Sequence, residues 1–262
     1  MWEHVVRTPA KRTKRTPLLL QHGAWHGAWC WENWLDHFAS LGYEVHAISL
    51  PGHGESPLGK SHINRYTLSD YAEHLAEAVD EISPRPAVVG HSLGGAVVQR
   101  FLESHTVPAA VLLATVPQRG LLAYLLRSLR DNPGDTVKAL VTLNTHHIVN
   151  GPRKVVEQFF SRDADVDFEV WEAQLVRESF GVLVTGLFRV ADPAKVGGTP
   201  MLVVAGGKDA IFTVEEEKQT AAAYGAELRL FADQAHNLMA EPRWREVADA
   251  IDVWLTDRAR LE

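Results

Sequence analysis

The sequence predicts an α/β fold, with a mostly parallel central sheet flanked by helices and a helical cap inserted into it. Three observations lead there. Short, β-rich apolar runs alternate with helical patterns along most of the 262 residues, the signature of strands joined by crossover helices. The runs are almost continuously apolar, as strands buried on both faces are. The alternation then stops over 117–190 and resumes at Thr199-Pro200. Residues 1–116 and 191–262 are therefore expected to form the core, and 117–190 the cap. The rival reading of that block, two further strand–helix units, lacks a convincing buried strand.

The candidate strands are 3–7, 18–22, 45–50, 87–90, 110–114, 201–205 and 227–231. Between them the pattern predicts a helix over 28–41, ended by Gly42, and one over 67–82, with Thr67 and Ser69 as candidate N-caps and Pro84 beyond its end. Further helices are expected over 92–104, over 214–224 before Gly225, and over 244–255. Turn signals at Asn132-Pro133-Gly134 and Asn150-Gly151-Pro152 divide the cap.

Composition narrows the function. A formal net charge of −7 argues against nucleic acid as a partner, since phosphate binding needs a basic surface. The single cysteine, Cys30, rules out an intramolecular disulfide and a cysteine-rich zinc site. The N-terminal Lys11-Arg12-Thr13-Lys14-Arg15 is followed only by Leu18-Leu19-Leu20, too short for a signal core or a membrane span. A cytoplasmic location is the default expectation. The sequence sets no oligomeric state.

The chemistry is carried by four segments. Gly90-His91-Ser92-Leu93-Gly94 fits G-x-S-x-G between an apolar strand and a helical stretch, the setting in which the motif presents a serine hydroxyl on a sharp turn. Ser92 is the candidate nucleophile, and the Leu93 N–H, at a helix N-terminus, a candidate oxyanion donor. After the second strand, Gln21-His22-Gly23-Ala24-Trp25-His26 lets the backbone turn so that a second N–H, assigned to Ala24, joins it. The side chains of His22 and His26 are expected to be packed and hydrogen-bonded.

A serine nucleophile needs a histidine base braced by a carboxylate, in the chain order serine, acid, histidine. Among 13 histidines, His236 lies after the last strand, before the final helix, and is the candidate base. Asp209, directly after the strand over 201–205, is the candidate acid, with Asp233 as the alternative. The loop Thr115-Val116-Pro117 offers no carboxylate. Trp25 and His91 are the candidate substrate-binding residues. Cap residues Leu121, Leu122, Leu125, Phe159, Phe160, Trp171 and Phe180 are apolar at helical spacing, which suits a cap core first and a hydrophobic or aromatic pocket second. Trp29, Trp31 and Trp34 read as packing.

With Pro51-Gly52-His53-Gly54-Glu55-Ser56 after the third strand, these motifs resemble the α/β-hydrolase superfamily along essentially the whole chain. His22-Gly23-Ala24-Trp25-His26-Gly27-Ala28-Trp29-Cys30-Trp31 resembles the signature of the plant methyl esterase and hydroxynitrile lyase group and its bacterial relatives. The resemblance implies hydrolysis of a small-molecule ester through an acyl-enzyme, with no metal and no cofactor. The lyases of that group carry threonine and lysine where this chain has Gly23 and Asn237, departures that favour the esterase side. The alternatives are a non-hydrolytic enzyme on the same scaffold (lyase, acyltransferase or cofactor-free oxygenase) and a small-molecule receptor with a vestigial triad.

Overall fold

A computed structural model describes residues 2–261. Seven strands, β1 His4–Arg7, β2 Leu18–Gln21, β3 Val45–Ile48, β4 Ala87–His91, β5 Ala110–Leu113, β6 Met201–Gly206 and β7 Glu227–Phe231, form one sheet in the order β1-β3-β2-β4-β5-β6-β7. Only β1 runs antiparallel, against β3; the other pairings are parallel.

The period-2 pleat explains why the central strands read as unbroken apolar runs. In β2, Leu19 packs into the core on one face while Leu18 and Leu20 pack into the core on the other. Ala110 and Leu112 of β5 likewise oppose Val111 and Leu113. Helices α1 Glu32–Ser40 and α10 Trp244–Asp257 cover one face. Helices α2 Leu68–Glu81, α3 Leu93–Phe101 and α9 Val214–Tyr224 cover the other. The α2 N-terminus settles on Thr67, in a reciprocal capping box with Asp70. The run over 28–41 is not one helix: a 3₁₀ turn, Ala28–Trp31, precedes α1. Tertiary contacts separate the two, because Trp29 turns toward Trp171 while Trp31 packs between Trp34 and His91.

Between β5 and β6 lie five helices, α4 Leu122–Asp131, α5 Pro133–Thr142, α6 Pro152–Phe159, α7 Phe168–Gln174 and α8 Phe180–Thr185, with a 3₁₀ turn at Thr145–Ile148. This insertion is anchored by buried polar contacts. Glu178, between α7 and α8, receives hydrogen bonds from Tyr71 Oη at 2.8 Å and His53 Nε2 at 3.1 Å. Ser179 Oγ donates to the Tyr66 carbonyl at 2.7 Å. No helix among the described residues is long and apolar enough to cross a membrane.

Candidate active site

The β4–α3 turn holds Ser92 at φ 52°, ψ −115°, a conformation that a residue with a Cβ adopts only when its surroundings over-determine it. They do so here. Its N–H donates to Leu113 O at 2.9 Å, and its carbonyl accepts from Gly95 N at 3.0 Å and Val116 N at 3.1 Å. The turn also requires glycine by close approach. A Cβ on Gly90 would sit 2.5 Å from Gly94 O, and one on Gly94 2.5 Å from Gln21 O.

Gly23 packs the segment after β2 directly against this turn: a Cβ there would lie 2.9 Å from both Ser92 Cβ and His91 Nδ1. The Gly23 carbonyl accepts from His22 Nδ1 at 2.7 Å and from the His26 N–H at 3.4 Å. His22 Nε2 in turn accepts from Leu50 N–H at 3.0 Å, so the proton of His22 is on Nδ1. In a trans peptide the C=O and N–H point opposite ways. Pinning Gly23 C=O therefore fixes the direction of the Ala24 N–H. Among the described residues, neither the Ala24 nor the Leu93 amide donates to another group of the chain.

Asp209 and His236 come from neighbouring strand ends, β6 and β7. Two glycines let their loops touch: a Cβ on Gly206 would lie 2.6 Å from Gln234 O, and one on Gly207 2.7 Å from Ala232 Cα. His236 Nδ1 and Asp209 Oδ2 are 2.8 Å apart, with both side chains almost wholly buried. A carboxylate oxygen only accepts, so Nδ1 carries the proton and Nε2 keeps its lone pair. Asp209 Oδ1 accepts from the amides of Ile211 at 2.7 Å and Phe212 at 3.1 Å. Glu241 braces the His236 loop, receiving Ala235 N–H at 3.2 Å and Ser161 N–H of the insertion at 2.8 Å.

The structure thus brings Ser92, Ala24, Leu93, Asp209 and His236 to one end of the sheet. His91 joins them in a different role from the substrate contact expected of it. Its ring is fully buried, 4.8 Å from the His236 ring, and its Nε2 donates to the His236 carbonyl at 3.1 Å. It props the loop of His236 from below. Trp25, at φ 66° and 7% exposed, is also not open to solvent. Its indole N–H donates to Thr145 Oγ1 at 3.0 Å, and its carbonyl accepts from Val176 N at 2.9 Å, so it joins the segment after β2 to the insertion. Asp233 lies apart from His236 and pairs instead with Arg243 at 3.6 Å. Sequence reading missed Glu241 as a brace; only its closeness to His236 in the chain signalled it. Among the described residues no cluster of three or more His, Cys, Asp or Glu is disposed to hold a metal ion.

Burial keeps three histidines beside the site, His22, His26 and His91, neutral. It holds His22 and His91 well below the ordinary 6.5 and lowers His26 to about 3. Unfolding returns each to the ordinary value, so between the two the unfolded chain binds more protons. Their contribution to stability is full above pH 6.5 and is lost as pH falls toward 3. The urea midpoint is expected to drop on acidification, with each histidine adding roughly 1 kcal/mol per pH unit to the slope. A flat midpoint from about pH 7 to 4 would contradict this.

The alpha/beta hydrolase family profile matches residues 18–250. A probable esterase, PIR7A, from Oryza sativa subsp. indica is 29% identical over 163 residues, 56% of this chain and 60% of that protein. Methyl jasmonate esterase 1 of Vitis vinifera is 28% identical over 149 residues, 56% of this chain and 52% of its own length. Norfluorocurarine synthase 2 of a Strychnos species is 38% identical over 88 residues, 33% of this chain and 32% of the synthase. The chain thus spans 60% or less of these curated relatives. In structure it is similar to the enol-lactonase of Burkholderia xenovorans LB400, at TM-score 0.73 and 17% identity, covering 97% of this chain and 96% of that one. With the family profile spanning most of its length, the chain belongs to the alpha/beta hydrolase family.

Proposed function

We propose that the protein hydrolyses carboxylic esters of small hydrophobic or aromatic substrates through an acyl-enzyme on Ser92. The observation that carries this reading is the 2.8 Å bond from His236 to Asp209, made in loops packed beside the Ser92 turn. It leaves the Nε2 lone pair of His236 to take the serine proton as Ser92 attacks the ester carbonyl. The Leu93 and Ala24 amides serve as oxyanion donors, each worth about 3 kcal/mol of barrier. His236 then protonates the leaving alcohol, and afterwards activates the water that releases the acid. The names of the esterase relatives support the same reaction class.

The insertion serves as the cap and supplies the apolar subsite. A cavity of about 120 Å³ lies within it, with Leu121, Leu125, Ile148, Phe180 and Leu187 among its walls. Its wall residue Tyr124 stands 6.0 Å from Phe212, whose ring is 5.6 Å from that of His236. Thr145, another wall residue, holds Trp25. The volume approaches the roughly 150 Å³ that holds a benzene ring in an apolar protein cavity.

A panel of p-nitrophenyl acetate, butyrate, hexanoate, benzoate and decanoate tests the reading. Turnover is expected to peak at the short acyl or aromatic members, with decanoate lowest. A decanoate optimum would contradict the subsite, and no turnover of any member by folded protein would contradict the hydrolase. Products formed in ¹⁸O-water separate hydrolysis, which labels the acid, from a lyase reaction, which does not.

A further inference from the structure

We propose that His26 is a positioning residue that registers the oxyanion segment, the loop of the base and the insertion against one another on a single neutral imidazole. The proposal rests on the roles given above to Ser92, Ala24 and His236.

His26 is almost wholly buried and makes three side-chain hydrogen bonds, each to a different piece of the site. Nδ1 is 2.7 Å from the carbonyl of Ala24. Nε2 is 3.2 Å from the indole Nε1 of Trp171 in α7, and 3.2 Å from Nδ2 of Asn237, the residue after the base. An indole N–H only donates and a carbonyl only accepts. The partners therefore fix the tautomer: the proton is on Nδ1 and Nε2 accepts. A second proton would face two donors, in agreement with the low pKa that burial gives the ring.

No strand pairing joins these pieces directly. Ala24 follows β2, Asn237 follows β7, and Trp171 lies in the insertion. Trp29 stacks on the His26 ring, with centroids 5.4 Å apart, and the Phe159 and Trp171 rings meet it edge-on at 5.1 and 5.8 Å. The imidazole is thus held rigidly enough to act as a reference point. Ala24 supplies an oxyanion donor, and Asn237 follows His236. A change at His26 therefore alters the distance between donor and base, and misplacement by about 1 Å can cost roughly 100-fold in rate. The loss should fall on kcat, because His26 offers no group to the substrate.

Three substitutions separate this role from packing. His26→Asn keeps a donor near the Nδ1 position and gives up the acceptor. His26→Gln keeps an acceptor near the Nε2 position and gives up the bond to Ala24. His26→Phe keeps the ring and loses both. We expect kcat to fall at least about 30-fold in His26→Phe with KM nearly unchanged, and the Asn and Gln variants each to recover part of it. Combining His26→Phe with Asn237→Ala should cost little more than His26→Phe alone. A folded His26→Phe with kcat within about threefold of wild type overturns the proposal. So does a loss that neither amide variant relieves. Should His26→Phe not fold, wild-type kcat in His26→Gln overturns it equally.

Failure of the catalytic reading shows separately, as turnover absent from wild type or surviving in Ser92→Ala. The linkage is then still decided by long-range ¹H–¹⁵N spectra of the histidine rings. They should show His26 protonated on Nδ1 alone down to about pH 5, with its Nε2 signal shifted in Asn237→Ala. An Nε2-protonated ring, or no response to Asn237→Ala, overturns the linkage.

Discussion

Replacing Asp209 with asparagine is expected to lower kcat by roughly 10⁴ while leaving the protein folded. The carboxylate now accepts the His236 Nδ1 proton at 2.8 Å and is itself held by two backbone N–H groups, from Ile211 and Phe212. An asparagine turned to keep those two bonds through its oxygen presents its NH₂ group to His236. That favours the other tautomer, with the proton on Nε2, where it cannot receive the serine proton. It also removes the charge that stabilises the imidazolium. Steady-state kinetics on the preferred p-nitrophenyl ester, with circular dichroism to confirm folding, checks this. A loss under about tenfold would mean that Asp209 is not the orienting acid.

Gly23→Ala is expected to be the next most damaging, at about 100-fold or more in kcat/KM. The added methyl must find room 2.9 Å from Ser92 Cβ and 2.9 Å from His91 Nδ1, and neither is the free end of a flexible side chain. Ser92 is fixed by its backbone bonds to Leu113, Gly95 and Val116. His91 is bonded to the His236 carbonyl. The strain therefore falls on the Gly23–Ala24 peptide, whose N–H is the proposed oxyanion donor. Thermal unfolding beside kcat/KM separates lost alignment from lost fold. Activity within about threefold of wild type would remove Ala24 from the oxyanion site.

Much of this was legible in the residues. Strands buried on both faces announce themselves as apolar runs, and the boundaries agree with the structure to within one or two residues. The Ser92 turn was legible because a strained elbow needs small neighbours, and Gly90 and Gly94 supply them. What the sequence could not convey depends on contacts between distant segments. The helix over 28–41 splits because Trp29 and Trp31 answer to different tertiary partners. His91 looked like a substrate contact from its place beside Ser92, but the loop of His236, 145 residues on, takes its Nε2. Nothing local to Gly206 and Gly207 reports that the Gln234 and Ala232 backbones press against them. His26 carried no signal of its partners, Trp171 and Asn237, for the same reason.

The proposed hydrolysis turns on Ser92 acting as a nucleophile activated by His236. Incubation of wild type and Ser92→Ala with a fluorophosphonate, followed by intact mass and peptide mapping, tests it most directly. Wild type should gain one phosphonyl group on the Ser92 peptide and lose ester hydrolysis in step with it, while Ser92→Ala gains none. Labelling at another residue, or an unlabelled Ser92 in active protein, would contradict this role for Ser92.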